Sequence, residues 1–589
     1  MCSSDLFYVQ SKEYPAITIQ IPVYKEGLQN TLKPTILNCC READRYMDET
    51  GALCNIIICD DGYNLISEAD RNDRVEFYKE MGLGFTARPH PSKYPRKGRF
   101  KKAGNLNFSM NYGGCFYDSE GSPDEVKEQV EKLIEMGAAF GGDTRYGDYI
   151  LLIDSDTRLP IIPMQENGCL KRLAKEMLFD GQEVSFIQCY TAPYMSIKSS
   201  AEKSVYHHTC NIYNSIMLAT AFNSMAPLVG HNAFLNMKAI TEVAHVDETI
   251  GYYYFWAEDR ISEDFDLMMR SCEKGYIGRY AAHSGSFLEG VSFSYMTEYF
   301  KVSKFACGAA ELIYNPMTDW CRDGIISSDL IGFIKSEKVE WYNKLAILSY
   351  IINFIALASA HLGLIFNVFF CEWIATVIPF VLLPVNLMLE AIFIWTICGG
   401  TLNYLFGLRL GFDRWILLKQ TVREAAFLTC LYGSCSVRFC IMTLTHLFKW
   451  NLSFGATAKD DEKITLCDWI QSTPMESAVY TFYIALIAIR LQFLTAPDKV
   501  AYVIYFGCVP MMWMIFLFWL GPIVFDILPR KIDKTTNQDY IEDEKMFTEK
   551  YFTQVPNSHK VKGIKVGSSI KLAPTGSSQG GSSHYSEEA

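Results

Sequence analysis

From Ala16 the chain alternates between two hydrophobic periodicities. AITIQIPVY is strand-like, KPTILNCCREADRYMDE carries apolar residues at helical spacing, and NIIICDD, YILLIDSD and VSFIQCY are again short apolar runs. Strands separated by helical stretches predict an α/β sheet, mostly parallel, whose ligands sit outside the carboxyl ends of the strands. Two of these strands end in acids, NIIIC in Asp60 and Asp61 and YILLI in Asp154 and Asp156, so the pattern predicts that all four face one crevice.

Beyond Lys344 the pattern changes to long apolar runs. Leu345–Phe370, Trp373–Ile397, Ala478–Ala496 and Ala501–Leu528 each approach the roughly 20 residues a helix needs to cross a bilayer. The short links FFCEW and TAPDK imply two antiparallel hairpins. Lys344, Arg409, Arg414, Lys419, Arg423, Lys449, Arg530 and Lys531 fall on one side, which by the positive-inside rule is the cytosol. A further stretch, Ala425–Phe448, contains Arg438 and His446 and reads as an amphipathic helix at the interface, with a fifth span as the alternative. The predicted organisation is therefore a catalytic domain over 1–335 and a membrane domain over 336–530. A cytosolic tail over 531–589 follows, disordered from about 566, where Ser and Gly dominate.

A chain of 589 residues exceeds one ordinary domain, in keeping with that division. The net charge of -12 argues against a nucleic-acid partner. The 19 cysteines are scattered without CxxC pairs, which favours a reduced, cytosol-facing domain over a disulfide scaffold or zinc site. MCSSDLFYVQSKEYP lacks the apolar core of a signal peptide.

Four segments can carry chemistry. In DSD, residues i and i+2 of an extended chain point the same way, and two such carboxylates repel unless a cation joins them. Mg²⁺ or Mn²⁺ shared with a substrate diphosphate would satisfy them, although many D-x-D triplets are plain loop acids. CDDGYN offers either a strand-capping turn or an acid for a base or ribose. The basic segment Arg96–Gly113, RKGRFKKAGNLNFSMNYG, is either a solvated loop or a phosphate contact through Arg99, Lys101 and Lys102. In WAEDRISEDFDLMMR, Ser262 can cap a helix whose first turn holds Glu263 and Asp264, or one carboxylate can take a proton from an acceptor hydroxyl.

Taken in order, IPVYKE, DDG, KAGNLN, DSD, VGHNAFL, SED and the membrane runs resemble membrane-embedded family-2 glycosyltransferases of the processive synthase type, the cellulose, curdlan, chitin and hyaluronan synthases. VGHNAFL, WAEDRISEDFD, KGYIGRY and CGAAELIYNP look most like a fungal-type eukaryotic branch of that group. The resemblance implies an A-type nucleotide-sugar-binding α/β domain followed by an α-helical transmembrane domain, a UDP-sugar donor and Mg²⁺ or Mn²⁺. It assigns Asp264, with Glu263, to catalysis and Asp154 and Asp156 to the metal. Tyr24, Glu26, Asp60, Asp61, Lys102, Asn105, Asp154, Lys301 and Lys304 would hold the donor. His231, Asn232 and Phe305 would meet the acceptor.

The implied reaction is inverting transfer onto a growing polysaccharide, a β-glucan favoured, that the helices translocate across a plasma or secretory membrane. The alternatives are transfer to a lipid carrier such as dolichyl phosphate, or a transporter, for which Glu390 inside a span is the supporting feature. Oligomeric state is not legible. Two departures and one further likeness accompany the resemblance. KVSKF, Lys301 to Phe305, stands where such synthases carry QxxRW, so Lys304 replaces the bidentate fork of Arg. FGAT in the loop at 450–462 resembles the gating loop of hyaluronan-type synthases. Relatives carry one or two membrane helices where this chain opens almost on its first strand.

Overall fold

The computed structural model describes residues 14–96, 101–117, 124–162, 166–179, 184–195, 199–221, 225–249, 251–282, 285–377, 399–409, 413–450, 464–492 and 508–528. Strands β1 (Ile17–Val23), β2 (Cys54–Asp60), β3 (Gly84–Ala87), β4 (Ala139–Gly141), β5 (Tyr149–Leu152) and β6 (Val184–Cys189) open the domain. They are followed by β7 (Thr191–Tyr194), β8 (Ala233–Asn236), β9 (His245–Asp247), β10 (Tyr252–Tyr254), β11 (Ile277–Ala281) and β12 (Phe287–Gly290). Eight of them form one sheet in the order β11-β6-β8-β5-β1-β2-β3-β4. The sheet is mostly parallel, as expected, with two strands reversed: β1 runs parallel to β2 and β5, while β8 enters antiparallel between β5 and β6 and β4 pairs antiparallel with β3. Because β2 and β5 flank β1 in parallel, Asp60 and Asp154 leave the sheet at the same edge, as the apolar pattern predicts.

Helices cover both faces. They are α1 (Lys33–Thr50), α2 (Glu68–Glu80), α3 (Lys102–Tyr117), α4 (Asp124–Glu135), α5 (Cys169–Phe179), α6 (Ser200–Ala221), α7 (Met237–Glu242), α8 (Glu263–Lys274) and α9 (Tyr295–Ile313), with the short α10 (Trp320–Asp323) and α11 (Ser328–Lys335) after them. Strands covered on both sides read as continuous apolar runs. The pleat then sorts them: Ile56, Ile58, Leu151 and Ile153 enter one core, and Ile57, Cys59, Ile150 and Leu152 the other. The second core continues without a break through Tyr295 and Tyr299 of α9 into Ile347, Phe354, Phe427 and Phe518 of the C-terminal helices.

Those helices are α12 (Trp341–Val377), α13 (Gly400–Arg409), α14 (Arg414–Leu447), α15 (Leu466–Ser472), α16 (Pro474–Gln492) and α17 (Val509–Pro522). Four stretches are long and apolar enough to cross a membrane: Trp341–Phe366, Arg414–Leu447, Pro474–Gln492 and Val509–Ile527. Two sequence expectations need correcting. Helix α12 passes through FFCEW to Val377 without the expected turn, since nothing in those five residues breaks a helix. The stretch from Ala425 belongs to a longer helix, α14, that starts at Arg414 and is capped by Asp413. The rest of the second expected span, including Glu390, residues 451–462 of the gating-type loop and the residues beyond 528 lie outside the described residues.

Helix α14 touches the catalytic domain near both of its ends. Glu424 accepts from Asn211 Nδ2 at 2.8 Å and lies 3.3 and 3.2 Å from the imidazoles of His207 and His208 on α6. About 33 Å further along the helix, His446 Nε2 donates to the Tyr314 carbonyl at 2.7 Å. Between them the Arg438 guanidinium lies 5.1 Å from the Phe300 ring on α9 and pairs with Glu476 at 2.8 Å. Asp526 reaches back from the end of the last helix, its two oxygens accepting from the Tyr295 and Met296 amides at 2.8 and 3.0 Å. It thereby satisfies the first amides of α9, which no helical carbonyl can reach.

Candidate active site

The first acid pair is already neutralised. Asp60 is fully buried, its oxygens 2.8 and 2.9 Å from Arg74 Nη1, with the Tyr78 hydroxyl at 3.1 Å. Asp61 takes Arg88 at 2.8 and 2.7 Å and Arg96 at 2.8 Å. Both carboxylates, expected to hold the donor, are paired with arginines that the motif does not contain. Tyr24 and Glu26 join the same knot, where Glu26 accepts from the Tyr24 amide at 2.7 Å and the Tyr24 carbonyl accepts from Arg74 at 3.3 Å. Asn105 is buried, donating to the Cys59 carbonyl at 2.6 Å, and braces the end of β2 rather than facing a ligand.

The second pair lies in an accessible site. Lys102, the first residue of α3, donates to Asp154 Oδ1 at 2.6 Å and to the Gly230 carbonyl at 3.0 Å. Their side chains keep 27% and 31% of their surface, against 3% and 0% for Arg74 and Asp60, so this ion pair is the one a ligand can reach. Gly230 has φ +76°, and a β-carbon there would come within 3.0 Å of Asp264 Oδ2. Glycine thus lets the VGHN turn pass directly over Asp264, which brings the KAGN, DSD, VGHN and SED segments together. Asp264 Oδ1 accepts from the Phe265 amide at 2.8 Å, fixing the carboxylate at the start of α8. Ser262 occupies the cap position of α8 but makes no side-chain cap bond; its hydroxyl packs against Gly308 of α9 instead.

The electrostatics separate the two acids of SED. Burial raises Glu263 to about 8, reinforced by the Asp264 charge. Burial also raises Asp264, to about 6, against the pull of the Phe265 amide and Lys102. Burial and mutual repulsion push both acids up, and the Phe265 amide and Lys102 make Asp264 the more readily ionised of the two.

A cation would find its donors partly where the sequence placed them. Asp154, His231 and Glu289 each bring one donor atom within 4.8 Å of the others, and His231 Nδ1 is 3.1 Å from Glu289 Oε2. Two carboxylates and an imidazole form a chemically sound set for a divalent ion. His231, expected to meet the acceptor, is thus a candidate ligand. Asn232, from the same motif, is fully buried between Thr157 and Thr191 and cannot reach an acceptor. Asp156, expected as the second ligand, is not in the three-residue set. Glu289 was not legible as a site residue; its signal is a single carboxylate in the otherwise apolar run SFLEGVSF. On α9, Lys301 lies 3.5 Å from Glu298, burial lowers Lys304 with Lys301 adding repulsion, and Phe305 is 42% exposed.

Residues 149–408 match the family model described as glycosyl transferase family group 2, a span holding Asp154, His231, Asp264 and Glu289. Over that span the chain is similar to sugar-transferring enzymes of family 2. No curated protein matches it. Among solved structures, a mannosyltransferase from Pyrobaculum calidifontis in complex with GDP-Man and Mn²⁺ aligns at 13% identity and a TM-score of 0.34, covering 74% of this chain and 88% of that one. Residues 1–349 of S. aureus TarS in complex with UDP align at 12% identity and a TM-score of 0.28, covering 57% and 71%. Scores this low support no argument about fold or function.

Proposed function

We propose that this protein is a membrane-bound inverting glycosyltransferase that moves a hexose from a UDP-sugar to an acceptor hydroxyl, with Asp264 as general base. The carrying observation is the meeting at Gly230, whose carbonyl takes Lys102 while its α-carbon lies against Asp264. Ion pair and base then share one site, as in-line displacement requires. Lys102 would turn from Asp154 to the donor diphosphate, and Lys301 and Lys304 add positive charge beside it. Asp264 would take the acceptor proton while the acceptor oxygen attacks the anomeric carbon, with Glu263 beside it. Asp154, His231 and Glu289 are the residues that would hold a divalent ion. Mn²⁺ or Mg²⁺ bound there would neutralise charge on the departing diphosphate.

The catalytic domain is assigned to the cytosolic side, and α14 to the membrane surface, because its contacts at Glu424 and His446 tie both ends to one domain. A helix crossing the bilayer would carry one of those ends away. Extension of a β-glycan is the acceptor reaction that the sequence resemblance implies.

The test is UDP release by the purified protein in lipid, across UDP-Glc, UDP-GlcNAc, UDP-Gal and UDP-GlcA, with Mn²⁺ or Mg²⁺. One donor should support release that Asp264→Asn abolishes. Release by no donor, or an Asp264→Asn variant as active as wild type, would refute the assignment.

A further inference from the structure

The motif CGAAELIYNP, residues 307–316, spans the end of α9 and packs on the three residues that lead into Glu263 and Asp264. Each of those three is held from outside its own loop. Arg260 donates to Asp329 on α11 and lies 3.1 Å from Asp266. The Ile261 amide donates to Oε2 of the buried Glu311 at 2.7 Å. The Ser262 hydroxyl lies over Gly308, where a β-carbon would come within 2.1 Å of it. Only a residue without a side chain leaves that hydroxyl its place.

A serine at a helix start ordinarily spends its hydroxyl on the helix itself. Ser67, Ser294 and Ser327 start α2, α9 and α11 with ψ of 155°, 157° and 143°. Each accepts from the amide three residues on, at 3.2, 3.0 and 3.3 Å. For Ser262 that amide would be the one of Phe265. Ser262 instead has ψ 62° and makes no side-chain cap bond. The Phe265 amide goes to Asp264 Oδ1 at 2.8 Å. A hydroxyl and a carboxylate thus compete for one donor, and the packing of α9 decides for the carboxylate.

From this we propose that Glu311 and Gly308 are positioning residues for Asp264, holding Ile261 and Ser262 so that the Phe265 amide is left to the carboxylate. The inference rests on Asp264 being the base and names what aims it. Without the Glu311 anchor, Ser262 is free to take the extended ψ of the other three caps and to claim the Phe265 amide. Asp264 then loses the bond that fixes its oxygens, and the base is misplaced for the acceptor hydroxyl. Lys102 and Asp154, on other elements, keep their places for the donor.

The experiment uses the full chain in nanodiscs and follows UDP release from the accepted UDP-sugar. Glu311→Leu should lower kcat by about 10²-fold, the cost of an ångström of misplacement, with the KM for the UDP-sugar unchanged. Glu311→Gln, which keeps an acceptor for the Ile261 amide, should stay near wild type. Ser262→Ala added to Glu311→Leu should restore most of kcat, because no hydroxyl is left to take the Phe265 amide. A merely structural role for Glu311 gives no such rescue. The acid limb of kcat/KM should move to higher pH in Glu311→Leu, since the carboxylate loses a hydrogen bond to its charged form, and return in the double variant. Gly308→Ala, which displaces the hydroxyl directly, should show the same loss and the same rescue, and serves if Glu311→Leu does not fold. Unchanged kcat in both variants, or a loss that Ser262→Ala leaves in place, overturns the inference. A structure of Glu311→Leu should show Ser262 Oγ on the Phe265 amide and Asp264 off it; Asp264 still on that amide overturns the inference, whether or not any donor is turned over. If that exchange is seen while Asp264→Asn releases UDP as fast as wild type, the positioning stands and the base reading fails.

Discussion

At the end of β2, Asp60 and Asp61 meet Arg74, Arg88 and Arg96; at the end of β5, Asp154 meets Lys102, with His231 and Glu289 close by. Both pairs terminate apolar strands beside β1, and both read alike in the sequence. The difference lies in the counter-charge. Guanidinium is permanently charged and binds carboxylate as a rigid fork, so it locks an acid in place. The single lysine at Asp154 keeps 27% of its side-chain surface, shares itself with the Gly230 carbonyl and sits among further acids. The first pair holds the sheet edge together, and the second is arranged for a ligand that brings its own positive charge.

That contrast can be broken at several points. The largest effect is expected at Asp264: Asp264→Asn should lower UDP release by about 10²–10⁴-fold, the usual contribution of a general base, without lowering the melting temperature. Asp60→Ala should instead destabilise the fold by about 3–5 kcal/mol by leaving Arg74 buried and uncompensated, whereas Asp154→Ala should barely move a thermal melt. A larger loss at Asp154 would collapse the comparison.

Smaller effects concern the metal and the proton. His231→Ala or Glu289→Gln should weaken Mn²⁺ binding, read by calorimetry, by about tenfold or more, and Asp156→Asn should weaken it less. Equal losses at all three would restore the DSD pair as the ligand set. The pH profile is the mildest probe. Asp264 lies above its ordinary value, at about 6, and must be ionised to act, so kcat/KM should fall as pH drops through about 6. A limb near 4, where an unperturbed aspartate titrates, would point to another base.

Much of this was legible in one dimension. Short apolar runs, two of them ending in acids, placed β1, β2 and β5 and the functional edge of the sheet, because burial on both faces imposes that pattern. Asp264 was readable as a candidate base from its motif, and the structure brings it and Lys102 together at Gly230. The fate of Asp60 was not readable. Its partner Arg74 lies on the buried face of α2, 14 residues away, and nothing local says which side of that helix turns inward. Glu289 reaches the site because β12 pairs with β7, and that pairing joins segments about a hundred residues apart.

The sequence by itself determined where strands end, where apolar helices begin and which residue types can hold a nucleotide sugar, since these depend on local periodicity and composition. The tertiary structure decided which acids are already paired and which glycine lies over the candidate base. Those outcomes depend on charges and surfaces brought together across the whole chain, where a neighbour at 3 Å outweighs any neighbour in sequence.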